Sequence, residues 1–289
     1  MVTVVQNETN ERRFCWEQVL RTNRLFRISQ VFAPADRAGQ LLPLYALFAA
    51  VEEVCSEHSD EDVARRKLGW WRSECAQLGE RGSDHPILRE LEHSGARQVL
   101  RPESLERLFG DAEARLDPTP VPDLDDFQAR CRQVSQPQIE LELSLWGSSP
   151  STPAPVEAIA ATNGLAQLLR EAARRADPHK YWWLPLSLLA HHGLSRAEIN
   201  RDQRSAPARA LFTDLIDSCR DWLPQQRLAQ SAEPMPEAAR HLFVMGHLQV
   251  HALRRVRSGD PVQLTRELNR VGLAQLFQAW QAARMISRP

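Results

Sequence analysis

Leu41-Leu42-Pro43-Leu44-Tyr45-Ala46-Leu47-Phe48-Ala49-Ala50-Val51-Glu52-Glu53-Val54-Cys55-Ser56-Glu57 runs from a nearly unbroken apolar stretch straight into acid. The apolar part, Leu41 to Val51, is 11 residues long and carries a proline. A bilayer span takes about 20 residues, so this reads as a buried core helix and no transmembrane segment is expected. Glu53 and Glu57 stand four apart and share a helical face. Two carboxylates so placed can hold a Mg²⁺ ion between them, or simply mark where the helix leaves the core and meets solvent.

Outward from this stretch the chain keeps a helical period. From Arg12 to Ser29 the apolar positions Phe14, Val19, Leu20, Leu25, Phe26 and Ile28 recur at threes and fours, which predicts an amphipathic helix. Similar patterns run over Asp36–Glu57, Glu61–Leu78, Pro86–His93, Pro102–Leu116, Leu124–Trp146, Pro155–Ala176, Ala206–Gln230, Pro236–Arg257 and Pro261–Ala283. Prolines open several of them, where a missing N–H costs nothing. Others fill the connections Asp117–Asp123 and Ser148–Pro155. No stretch of four residues alternates cleanly at period two, and Ala, Leu, Arg, Glu and Gln dominate. The expected fold class is all-α, with one domain over 1–289 and its core over about 12–283, since no long linker or internal repeat interrupts the pattern.

A second charged helix end lies at Leu168-Leu169-Arg170-Glu171-Ala172-Ala173-Arg174-Arg175-Ala176-Asp177. Its arginines suit a diphosphate, because guanidinium donors match phosphate oxygens bidentately. They equally suit a solvated C-terminus, where cations complement the helix dipole. His191 and His192 are adjacent and are expected to point in different directions, and the sequence has no H-E-x-x-H, so a zinc site is not expected. No G-x-S-x-G, G-x-G-x-x-G or G-x-x-x-x-G-K-[ST] occurs, which removes the common hydrolase, dinucleotide and P-loop readings. Trp70-Trp71 and Trp182-Trp183 read as core aromatics in preference to a stacking platform.

The 36 Lys+Arg against 37 Asp+Glu leave a net charge of −1 over 289 residues, a balance that favours neither nucleic acid nor an anionic membrane. Five scattered cysteines include no C-x-x-C pair, as in a reducing compartment. The first residues turn polar too soon for a secretory signal. A cytoplasmic protein, with peripheral contact to the inner membrane at most, is the expectation.

The ordered pieces together resemble the squalene/phytoene synthase family, the head-to-head prenyl transferases of the isoprenoid synthase fold. Phe32-Ala33-Pro34-Ala35-Asp36-Arg37 resembles the family's run of a proline, an acid and an arginine, Leu44-Tyr45-Ala46-Leu47-Phe48 its "YAF" helix, and the acidic cluster its first aspartate-rich motif. Trp70-Trp71-Arg72, His85-Pro86, Asp125-Asp126-Phe127 with Cys131, Gln167 to Glu171, Trp183-Leu184-Pro185 and Gly193-Leu194-Ser195 follow in the family's order. The resemblance spans about residues 20 to 283. It implies helices around a central cavity in which Mg²⁺ bridges two prenyl diphosphates to facing acidic motifs. Tyr45, Glu52, Glu53 and Glu171 are then the catalytic candidates. Gln167, Arg170, Arg174, Arg175 and Lys180 are the substrate-binding candidates, and Glu53, Glu57, Glu171 and Asp177 the metal candidates.

The sequence departs from that pattern where the metal chemistry lies. Glu52 and Glu53 replace aspartates, Ser56 stands at the closing aspartate, and Ala49 replaces a diphosphate-binding arginine. In the second motif Glu171 replaces the leading aspartate, Gln167 an asparagine and Gly164 a glutamine, while Arg175 falls on the closing position. Asp177 takes that role only if the helix end is rebuilt. Ser135-Gln136-Pro137-Gln138-Ile139 replaces small residues and is expected to narrow or kink the cavity wall.

Two functions follow from the resemblance. One is a catalytically silent or weak member that binds an isoprenoid diphosphate or other lipid in the cavity, or a protein partner, as does the family branch of respiratory complex I assembly factors. It needs no cofactor. The other is a divergent prenyl transferase with a rearranged Mg²⁺ site. Arg175 is expected to pair with a carboxylate of the first motif in the silent case.

Overall fold

Helix starts follow capping chemistry written into the sequence. In a computed structural model of the chain, Thr9 Oγ1 accepts a hydrogen bond from the Arg12 amide at 3.2 Å, and Asp60, Asp123 and Asp260 accept the first amides of their own helices. Ser195 and Glu198 form a reciprocal capping box. Pro86, Pro102 and Pro261 each sit in the first turn of a helix. The structure describes residues 9–35, 38–57, 60–147, 154–174, 181–218, 237–256 and 259–286, apart from the side chains of 57, 154, 155 and 238.

The helices are α1 (Asn10–Thr22), α2 (Phe26–Ser29), α3 (Ala38–Glu57), α4 (Glu61–Gln77), α5 (Pro86–His93), α6 (Pro102–Ala114) and α7 (Leu124–Leu145). They continue with α8 (Ala154–Arg174), α9 (Leu186–His191), α10 (Arg196–Arg201), α11 (Ala206–Ser218), α12 (Arg240–Arg255), α13 (Pro261–Leu268) and α14 (Leu273–Ile286). No strand occurs among the described residues, so the all-α expectation holds. Two expected helices are each broken. Asn23 leaves the helical region at φ −142° and ψ 88°, dividing Arg12–Ser29 into α1 and α2. Asn269 and Gly272 divide Pro261–Ala283 into α13 and α14. Asn and Gly are weak helix formers, and here they outvote the apolar period. The short α9 and α10 were not anticipated from the period.

α3 is the one helix among the described residues long and apolar enough to match a bilayer span, and most of it is buried among its neighbours. The apolar interior falls into two clusters. α7, α8 and α12 contribute to both: Ile139, Ile159 and Phe243 to one, and Phe127, Leu165 and Leu253 to the other. The seam between the clusters is polar, with Ser135 and Gln138 on α7 and Gln249 on α12.

α7 and α8 meet near that seam in backbone contact. A Cβ added at Gly164 would lie 1.8 Å from the Cys131 carbonyl oxygen, so no larger residue fits while the helices keep this distance. Ser135 Oγ donates to the Ala160 carbonyl at 2.6 Å on the same side. α7 continues as helix through Pro137. The close wall is therefore set by Gly164, one of the departures noted above, and not by a break at the proline.

Candidate functional site

The seam encloses a chamber of about 40 Å³ lined by α1, α3, α7, α8 and α12, including Tyr45, Ala49, Glu52, Gln138, Asn163, Gln167, Arg170 and Gln249. Pockets that take small organic ligands usually hold about 300–1,000 Å³. This chamber has room for only a few water molecules. Its wall is polar and underused. Arg170 is 4% exposed, and neither its Nε nor its Nη2 has a hydrogen-bond partner. Gln167 accepts from Gln138 Nε2 at 3.2 Å through Oε1, but its own Nε2 is unpartnered, as are Asn163 Oδ1 and Gln249 Oε1. Burial, opposed by Glu52 and reinforced by Arg174, pulls the Arg170 guanidinium down to about 10.

Glu52 and Glu53, neighbours in sequence, serve different sides of α3. Glu52 points to the chamber and accepts a 2.6 Å hydrogen bond from Arg174 Nη2 across the gap to α8. That pair links the two walls. Glu53 turns instead to α1, where Gln18 Nε2 donates to it and Arg21 lies 3.3 Å away. It lines a separate surface groove of about 500 Å³ with Lys67, Trp70, Trp71 and His85. Glu171 is buried behind the chamber and accepts from Arg115 Nη1 at 3.2 Å, while Arg115 Nε lies 3.5 Å from Asp111. Burial works against the Arg115 charge, yet Glu171 and Asp111 hold it firmly protonated.

Tyr45 is tied down by a chain of buried polar groups. Its hydroxyl donates to Glu142 Oε2 at 2.7 Å. The other oxygen of Glu142 meets His241 Nδ1 at 2.8 Å, and His241 Nε2 meets Ser29 Oγ at 3.0 Å. Burial and the adjacent Glu142 push the phenol well above its ordinary range, so it stays a protonated donor. Of the sequence candidates, then, Tyr45, Glu52, Gln167 and Arg170 meet at one chamber and Arg174 reaches it through Glu52. Glu53 and Glu171 lie elsewhere. Arg175, Asp177, Lys180 and the Glu57 side chain are outside the described residues.

The described residues do not fit a Mg²⁺ bridge. The ion needs converging, near-octahedral oxygen donors, whereas Glu52, Glu53 and Glu171 face three directions and each has an arginine in contact. One expectation about metal ligands is corrected: the ring nitrogens of His191 and His192 and a carboxylate oxygen of Asp214 lie within 4.8 Å of one another. His192 Nε2 sits 2.9 Å from Asp214. The pair stands at the end of the short α9, where neighbouring side chains can splay toward one acceptor. The reading of all four tryptophans as core also needs correction, because Trp70 is 45% exposed while Trp71, Trp182 and Trp183 are buried.

Arg115, Glu142 and His241 escaped the sequence reading. Asp111 and Arg115 form an i, i+4 pair, and Glu142 shares a face of α7 with the buried Ser135 and Ile139. An acid on such a face is a signal, since buried charges are rare unless paired.

Comparison with known proteins agrees with the all-α fold. The fold matches a dehydrosqualene synthase crystallised with a ligand, at a TM-score of 0.71 and 14% identity over 95% of both chains. It also matches the squalene synthase HpnC from Alicyclobacillus acidocaldarius, at a TM-score of 0.55 and 16% identity over 96% of both chains. Among curated proteins none matches the sequence. The sequence pattern described as squalene/phytoene synthase covers residues 21–274, and the chain belongs to the squalene/phytoene synthase family.

Proposed function

We propose that this chain is a catalytically silent or weak member of its family, which holds the anionic head of an isoprenoid or other lipid at Arg170 and acts through a protein partner in the manner of an assembly factor. The observation that carries the reading is the engagement of the motif acids: Glu52 with Arg174, Glu53 with Arg21 and Glu171 with Arg115. Ionising a diphosphate by metal requires carboxylates that converge on the ion, and a fixed guanidinium both repels a divalent cation and occupies the oxygens it needs. Mg²⁺ plays no part in this reading. The chamber of about 40 Å³ supports it, being far below the volume of an isoprenoid chain, so it holds no tail in this arrangement.

Arg170 supports retained anion binding. A buried guanidinium whose Nε and Nη2 lack hydrogen-bond partners is costly, and an anionic headgroup would offset that cost. The test is diphosphate release from farnesyl and geranylgeranyl diphosphate, measured with and without Mg²⁺. The expected result is no release above background in either condition. Mg²⁺-dependent turnover would establish the divergent prenyl transferase instead, with Tyr45, Gln167 and Arg170 as its chamber residues.

A further inference from the structure

α14 is turned inside out relative to an ordinary amphipathic helix. It buries Gln275, Ala279, Ala282 and Ala283, packing on α12. Its large apolar residues face away: Leu273 is 84% exposed, Leu276 48%, Phe277 57% and Trp280 47%. Their spacing of three and four places them on one stripe, about 100° wide. Phe277 and Trp280 stack at 5.9 Å between ring centroids, and the Arg284 guanidinium lies 4.6 Å from the Trp280 ring. Exposed apolar residues scattered singly need no explanation, but a contiguous stripe of this kind does.

The charge beside the stripe identifies what covers it. After Glu267 the sequence carries Arg270, Arg284 and Arg288 and no acidic residue, although the whole chain is balanced at −1. Val271, just before α14, opens onto a groove of about 720 Å³ whose other walls include Phe14, Leu20, Arg21, Arg24 and Arg27. Glu17 of that groove is held by Arg13, Arg21 by Glu53 and Arg270 by Glu267. The guanidinium groups of Arg24 and Arg27 are exposed and, among the described residues, have no partner. An apolar, aromatic stripe flanked by unpaired arginines is complementary to a bilayer surface with anionic headgroups: the rings enter the acyl boundary and the arginines meet the phosphates.

We propose that α14 and the adjoining Arg24–Arg27 groove form a docking surface for an anionic phospholipid bilayer, on which the chain lies peripherally. This gives peripheral membrane contact a specific face, and it stands whether or not the chamber is catalytic. The chain-wide charge balance does not oppose it, because the exposed Arg24 and Arg27 share a groove with Val271, which leads into α14.

The test is flotation of the full chain with vesicles of phosphatidylcholine alone and of phosphatidylcholine mixed with phosphatidylglycerol, alongside its solution mass by light scattering. Binding is expected to the mixed vesicles, to weaken with added salt, and to be abolished by the double variant Phe277→Glu and Trp280→Glu. Arg24→Ala and Arg27→Ala should each lower vesicle affinity about fivefold. All four side chains are exposed, so circular dichroism should show unchanged helix content in every variant. Failure of the unmodified chain to float with the mixed vesicles would overturn the proposal. So would a dimer in solution that the Phe277→Glu variant dissociates, since a second copy would then own the stripe. Diphosphate release reads the chamber independently, so the two proposals fail separately.

Discussion

Arg115 and Arg170 are both buried arginines within reach of the same second motif, and their electrostatics are opposite. Arg115, 1% exposed, lies between Glu171 and Asp111, which keep its charge secure against desolvation. Arg170, 4% exposed, has Arg174 nearby and no hydrogen-bond partner for Nε or Nη2, and burial pulls its guanidinium down to about 10. One is a structural cross-link that uses a motif carboxylate. The other is a cation kept available beside a small chamber. Burial alone does not tell a structural charge from a functional one; the partner does.

The largest expected effect comes from the paired arginine. Arg115→Ala takes from the buried Glu171 and Asp111 the guanidinium that they share, and should cost about 3–5 kcal/mol in denaturant unfolding. A loss below about 1 kcal/mol would mean that water reaches the pair, and the contrast with Arg170 would collapse. Gly164→Ala comes next. Its Cβ falls on the Cys131 carbonyl oxygen, and forcing α7 and α8 apart should cost about 3 kcal/mol or more.

A pH experiment sharpens the same contrast at a buried group that gives up its charge. Burial, His251 and Arg254 pull His247 from an ordinary value of 6.5 down to about 4. The unfolded chain then takes up a proton that the fold refuses. Stability from this group is therefore unaffected above pH 6.5 and falls as pH drops toward 4, by about 3 kcal/mol in all. His247→Gln should flatten that part of the stability profile. An unchanged profile would show that His247 is protonated within the fold.

The smallest stability effect belongs to the unpaired arginine. Arg170→Leu removes a desolvated charge and should leave stability unchanged or raise it by about 1 kcal/mol. A loss comparable to that of Arg115→Ala would show that Arg170 is a structural residue too.

The fold was legible because helical period, proline placement and caps agree along the chain. Boundaries failed where one Asn or Gly outweighed a continuing apolar stripe, at Asn23 and at Asn269–Gly272. The site was legible only in part. Tyr45, Glu52, Gln167 and Arg170, each named from the sequence, line one chamber, but the direction of Glu53 depends on Gln18 and Arg21, which lie on a different helix. Spacing within α3 carries no information about that partner. Gly164 was visible as a missing glutamine, whereas its consequence, backbone contact between α7 and α8, is a property of the packed pair.

The central claim is that Arg170 offers its charge to an anion without the help of metal. It is tested most directly by calorimetric titration of inorganic diphosphate and of a non-hydrolysable farnesyl diphosphate analogue into the full chain, with and without Mg²⁺, repeated on Arg170→Leu. The account predicts binding of at least the inorganic anion, unaffected by Mg²⁺ and lost in Arg170→Leu. Tight binding that requires Mg²⁺, or binding that survives the loss of Arg170, would contradict it.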